Sequence, residues 1–300
     1  MKKKLLVLFL LLILLPVHAL GETVIITSFY PIWLFTLNLT EGLPDVTVRN
    51  LAAPDTGCLH DYQLQTADMK ALAEADAFLV NGAGMESFLP LITDAFPDLP
   101  VVVASEGIPL LEETDALEIG EAEEHETEVN AHLWLDAGRA AQMCDRLAAG
   151  LKQVLPDQAE AIQANLDRYT GRLLSLHDTL RAGLADLPHR DIITFHEAFP
   201  YFAEAYGLRV AAVVSHEPGD PLTPVQLAGI VEAIRTLGKI PLFVEPQYED
   251  LSARTISRET GAPVYMLDPV VTGPEDDVSL DYYETVMLAN MKTLQEALSD

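Results

Sequence analysis

Four side chains able to bind a transition metal stand directly after apolar, β-branched runs in the second half of the chain. His196 follows Ile192-Ile193-Thr194-Phe195, His216 follows Val213-Val214-Ser215, Glu245 follows Leu242-Phe243-Val244, and Asp268 follows Val264-Tyr265-Met266-Leu267. The first half adds His60, in the turn-rich stretch Pro54-Asp-Thr-Gly-Cys-Leu-His60-Asp-Tyr-Gln, and His132, in Asn130-Ala-His132-Leu-Trp-Leu-Asp136. Imidazole mixed with carboxylate suits zinc and its neighbours, whereas an all-oxygen set would suit calcium or magnesium. Taken singly each residue is a weak signal. A histidine beside Leu133, Trp134 and Leu135 also fits a hydrogen-bonded core residue, and His216 leads into Glu-Pro-Gly-Asp-Pro, the composition of an exposed loop. His18, His125, His177 and His189 have no comparable placement; His177 reads as a surface residue of a long helix, and His189 as a loop residue.

What gives the six positions weight is the frame around them. In open parallel sheets, ligands bind outside the carboxyl ends of the strands. The spacing predicts strands at 24–28, 46–51, 77–81 and 101–104, with helices around 33–39, over 66–74 capped by Thr66, and over 87–95. That β-α-β order argues a parallel sheet covered by helices. A helix is expected from Asp136 to about Val154. From Asp157 to about Leu184, Ile162, Leu166, Tyr169, Leu173, Leu176 and Leu180 recur every three or four residues, the stripe of one long amphipathic helix. The rhythm then repeats, with strands at 192–195, 210–215, 242–244 and 264–267, and helices at 196–206, 224–237, 252–260 and 281–298. Gly207, Gly238 and Gly261 stop three of these helices.

The expected organisation is a signal peptide over 1–19, an N-terminal α/β lobe over 22–156, a stiff connecting helix over 157–186 and a C-terminal α/β lobe over 187–300. Lys2, Lys3 and Lys4, the apolar run from Leu5 to Leu15, and Val17-His18-Ala19 form the leader pattern. Its apolar run is short for a membrane span. Export to the periplasm or another extracytoplasmic space is therefore expected, with an uncleaved anchor as the alternative. A formal net charge of −28 repels phosphate backbones and argues against nucleic acid as a partner. Nine of the acidic residues crowd into 112–128, which reads as a solvated loop. Cys58 and Cys144 could pair in an oxidising compartment, although their positions alone do not decide it. No phosphate-binding glycine loop, nucleophile elbow or His-Glu-x-x-His helix is present, and Gly82-Ala-Gly84 reads as a tight turn.

Taken together, Thr27-Ser-Phe-Tyr-Pro31, His60-Asp-Tyr, Ala75-Asp76 with Asn81-Gly-Ala-Gly84, Asn130-Ala-His132-Leu-Trp-Leu-Asp136, Thr194-Phe-His196-Glu-Ala-Phe-Pro-Tyr201, Glu245-Pro-Gln247 and Leu267-Asp268-Pro follow one another in a familiar order. With them the chain resembles, over nearly its whole length, the zinc/manganese-binding receptors of ABC-type metal importers. The resemblance implies two α/β lobes joined by a long helix, with one metal ion in the cleft. It implies His60 and His132 as ligands from the first lobe and His196 and Asp268 from the second, placing His216 and Glu245 behind them. Three imidazoles and one carboxylate favour Zn2+, with Mn2+ as the alternative cargo. By the same likeness the chain is a monomeric receptor, not an enzyme, that delivers its ion to an ABC-type permease. The rival from another class is an exported zinc hydrolase using Glu197 or Glu245 as general base, which needs an open coordination position. The chain departs from the family in its acidic rather than histidine-rich loop, in lacking a lipid-bearing cysteine after the leader, and in Ala131 and Ala137, where prolines are usual. Cys58, two residues before His60, is within reach of the metal by position and is expected to be structural.

Overall fold

The computed structural model describes residues 22–59, 62–112, 129–214, 222–248 and 251–299. The leader, most of the acidic stretch, His60, His125 and His216 lie outside these residues. The first half folds as β1 (Thr23–Thr27), α1 (Tyr30–Leu39), β2 (Val46–Asn50), α2 (Thr66–Ala73), β3 (Ala77–Val80), α3 (Leu89–Ala95) and β4 (Val101–Val103). Two helices follow, α4 (Ala137–Val154) and α5 (Ala159–Gly183). The second half comprises β5 (Asp191–Thr194), α6 (Pro200–Tyr206), β6 (Arg209–Val213), α7 (Pro224–Leu237), β7 (Leu242–Val244), α8 (Leu251–Thr260), β8 (Val264–Met266) and α9 (Tyr282–Ala297).

Each half contributes a four-stranded, all-parallel sheet, ordered β2-β1-β3-β4 and β6-β5-β7-β8. Relative to chain order the two are the same arrangement, so the repeated rhythm of the sequence is a repeated topology. In both sheets the strand order reverses at the first strand, which opens a crevice at the carboxyl ends of β1 and β3, and of β5 and β7. Covered on both faces, the central strands carry unbroken apolar runs, such as the fully buried Ala77-Phe-Leu-Val80 of β3.

The long helix is the one its stripe describes: Ile162, Leu166, Tyr169, Leu173, Leu176 and Leu180 of α5 are all buried. Its 25 residues span roughly 37 Å. It packs along α4 and touches α1 and α9. Asn165 donates to Leu39 O at 3.0 Å, while the Arg172 guanidinium reaches Asn38 Oδ1 of α1 at 3.1 Å and Glu284 of α9 at 2.5 Å. A single apolar core runs from β1 and α1 through α4 and α5 to α6 and α9, and a smaller one lies between β5, α7 and α8.

Several helix starts differ from the periodicity where a proline intervenes. Instead of beginning at His196, α6 begins at Pro200, and α3 begins at Leu89 beside Pro90. A proline is tolerated in a first turn because its missing N–H has no helical partner there. In α2 the cap is Gln65 rather than Thr66, its N–H donating to Asp68 Oδ2 at 2.7 Å. No disulfide joins Cys58 to Cys144, which is buried on α4. Among the described residues no helix is long and apolar enough to cross a membrane.

Candidate metal centre

The second sheet's crevice holds the first pair of site residues. His196 stands two residues past β5 and Glu245 directly past β7, so the two meet where the strand order reverses. His196 Nδ1 lies 2.9 Å from Glu245 Oε1, and both residues are buried. A carboxylate accepts only, so Nδ1 carries the proton and Nε2 keeps the lone pair. Glu245 Oε2 is taken by Gln247 Nε2 at 2.6 Å, which fixes the carboxylate in turn.

His132 reaches the same place from the first half. Its segment, a short 3-10 turn over 133–135 between Asn130 and α4, is anchored at the first sheet's crevice, where Asn81 Nδ2, just past β3, donates to Ala131 O at 2.9 Å. The Asn130 side chain then orients the imidazole. Its Nδ2 donates to Glu197 O at 2.8 Å, which turns Oδ1 toward His132, where it accepts from the backbone N at 3.0 Å and from Nδ1 at 3.1 Å. Here too Nε2 is left as the lone-pair nitrogen. Trp134 backs the ring at a centroid distance of 5.0 Å and donates from Nε1 to Pro269 O at 2.7 Å. Tyr201 and Tyr283 pin the segment further, donating to Asn130 O at 2.8 Å and to Trp134 O at 2.5 Å.

The two imidazoles face each other edge to face, 4.9 Å between centroids. Beside them is Cys58, whose Sγ lies 3.6 Å from His132 Nε2. Among the described residues, Cys58, His132 and His196 form the one set of ligand-type side chains whose donor atoms all lie within 4.8 Å of one another. Asp268 stands nearby, outside that set. Its backbone N donates to Asn290 Oδ1 at 2.9 Å, and its own Oδ1 accepts from Val270 N at 2.8 Å. Burial pushes its carboxyl up to about 6, opposed by the Val270 N–H and reinforced by the charge of Glu245. The Tyr30 and Tyr282 hydroxyls are raised by burial, with neighbouring Asp268 adding to it. A buried carboxyl whose charge is disfavoured in this way is one that a dication would help to ionise.

Of the residues singled out from the sequence, the structure brings His132, His196 and Glu245 together, with Asp268 at the edge. His60 lies outside the described residues. Cys58, expected to be structural, is a member of the cluster. Gly57 explains its position: with φ of +86° it turns the loop, and a Cβ there would sit 3.3 Å from the Tyr248 hydroxyl of the opposite half. His177 departs from its surface reading too, being partly buried with Nδ1 3.1 Å from Asp136 Oδ1. That carboxylate also caps α4, accepting from Gly138 N at 2.8 Å.

The donor chemistry fits zinc: two lone-pair nitrogens with their other ring nitrogens engaged by oxygen acceptors, a thiol and a carboxylate. The family model described as zinc-uptake complex component A, periplasmic, matches residues 25–297. The zinc-binding lipoprotein AdcA of Streptococcus pneumoniae is 27% identical over 283 residues, which cover 92% of this chain and 56% of AdcA. The chain thus spans little more than half of that relative's length. The manganese-binding lipoprotein MntA of Halalkalibacterium halodurans is 29% identical over 212 residues, 68% of this chain and 66% of MntA. Among solved structures, that of ZnuA superposes with a TM-score of 0.78 at 25% identity, covering 93% of this chain and 100% of the other. FpvC from Pseudomonas aeruginosa in complex with Mn2+ superposes with a TM-score of 0.80 at 25% identity, covering 93% and 99%.

Proposed function

The chain belongs to the family of periplasmic zinc-uptake complex component A proteins, and from that premise we propose that it is an extracytoplasmic receptor that captures Zn2+ and hands it to an ABC-type membrane permease. The observation that carries this reading is the opposed pair His132 and His196. They come from different halves of the chain, and each holds Nδ1 on an oxygen acceptor so that Nε2 is directed to metal. His60, His132, His196 and Asp268 are the proposed ligands. The working units are a leader over 1–19, lobes over 22–156 and 187–300, and the connecting helix over 157–186.

The protein acts as a monomer and as a carrier rather than a catalyst, since a shell filled by protein ligands leaves no position for an activated water. Nitrogen-rich ligation and the order of divalent affinities both favour zinc over manganese. Zinc binding requires neutral imidazoles, so affinity falls as pH drops through the histidine range. The test is elemental analysis of protein purified without added metal, followed by zinc–manganese competition. Zinc retained against excess manganese is expected; manganese retained against equimolar zinc would assign the other cargo, and no bound transition metal would overturn the reading.

A further inference from the structure

We propose that Cys58 is itself a ligand of the captured ion, making this a sulfur-containing centre. The inference rests on the zinc-receptor reading and revises its ligand set. The distance is the main argument. In a tetrahedral zinc site with Zn–S of about 2.3 Å and Zn–N of about 2.05 Å, sulfur and nitrogen stand about 3.6 Å apart. Cys58 Sγ and His132 Nε2 are 3.6 Å apart. His196 closes the triangle, each donor atom lying within 4.8 Å of the others.

The loop is built to hold the sulfur there. Gly57, in the left-handed region, packs against Tyr248 and Gln247, and Gln247 is the residue that fixes the Glu245 carboxylate behind His196. The sulfur position and the orientation of His196 therefore depend on the same loop after β7. At the other end of the Cys58 loop, Pro54 O accepts from Gly273 N at 3.1 Å, so both of its shoulders lean on the second half. The fourth position falls to Asp268, the carboxylate neighbouring Glu245. On binding, the thiol gives up its proton and enters as thiolate. A soft thiolate discriminates against manganese, a hard ion that prefers oxygen, and so strengthens the selection of zinc that the imidazoles begin.

The decisive experiment is zinc K-edge X-ray absorption on the full chain loaded with one equivalent of zinc, alongside Cys58→Ser. In the native chain a sulfur shell at about 2.3 Å is expected beside nitrogen and oxygen at about 2.0–2.1 Å. In Cys58→Ser the sulfur shell should vanish while zinc stays bound, and the preference for zinc over manganese should fall on the order of tenfold. Bound zinc with only nitrogen and oxygen neighbours in the native chain would overturn the cysteine assignment and leave the receptor reading standing. A native chain that takes up no zinc would overturn both.

Discussion

Two carboxylates near the imidazoles do different work, and single substitutions separate them. Glu245 holds His196 Nδ1 at 2.9 Å and sets its tautomer without being a proposed ligand. Glu245→Gln should therefore weaken zinc binding about 10–100-fold with the fold intact, measured by chelator competition. Asp268 is a destabilising charge in the metal-free protein. Its folded-state value of about 6 lies above the ordinary 3.8, so the folded state holds this proton more tightly than the unfolded chain does. The stability this gives is complete below the ordinary value and is lost as pH rises through about 6. Metal-free Asp268→Asn should then melt above the native chain at pH 7.5, with the gap closing toward pH 4.5, and yet bind zinc more weakly. Lower melting at pH 7.5 would show that Asp268 is held by favourable contacts instead. His196, Glu245 and Asp268 were legible in the sequence because strand ends in parallel sheets are where sites form. Cys58 stood out only by its closeness to His60 and read as structural, since its place depends on a turn at Gly57 and on Tyr248, distant in sequence. His177 was missed for the same kind of reason: an amphipathic stripe says which face of α5 is buried, and nothing local records that Asp136 waits beside it.

At the level of elements, periodicity captured the core of each α-helix among the described residues and the start of α7, but missed the starts of α1, α3 and α6, because helix starts depend on single hydrogen bonds and prolines rather than on a repeating pattern. The equal order of the two sheets was legible only as a rhythm; strand neighbours are tertiary facts that alternation does not encode. Two helical glycines show how packing overrides propensity. Gly171 of α5 has open space where a Cβ would go, so Gly171→Ala should stabilise the protein by up to about 1 kcal/mol through helix propensity alone. Gly150 of α4 faces Val102 of the neighbouring sheet, with Cγ2 2.3 Å from an added Cβ. Gly150→Ala should accordingly destabilise, by about 1–3 kcal/mol, despite the same gain in propensity. Urea denaturation of the two variants checks both signs; stabilisation by both would mean that α4 can back away from β4 at little cost.

For the molecule as a whole, the core that runs continuously from the first sheet through α5 to α9 argues that the two halves melt together. On the proposed reading, zinc shared between them adds to that single transition. At a free concentration a thousandfold above Kd the gain is about 4 kcal/mol, a rise in Tm on the order of 10 °C that a chelator should reverse. Two separate transitions, with only one moved by zinc, would place the ion within one half. The central claim is that one ion is shared by ligands from both halves, and calorimetric titration of zinc into metal-free native chain, His132→Ala and His196→Ala tests it most directly. The account expects one zinc per native chain and, in each variant, affinity lower by more than about 100-fold, beyond what loss of an orienting partner alone would cost. Native affinity retained in either variant would contradict it.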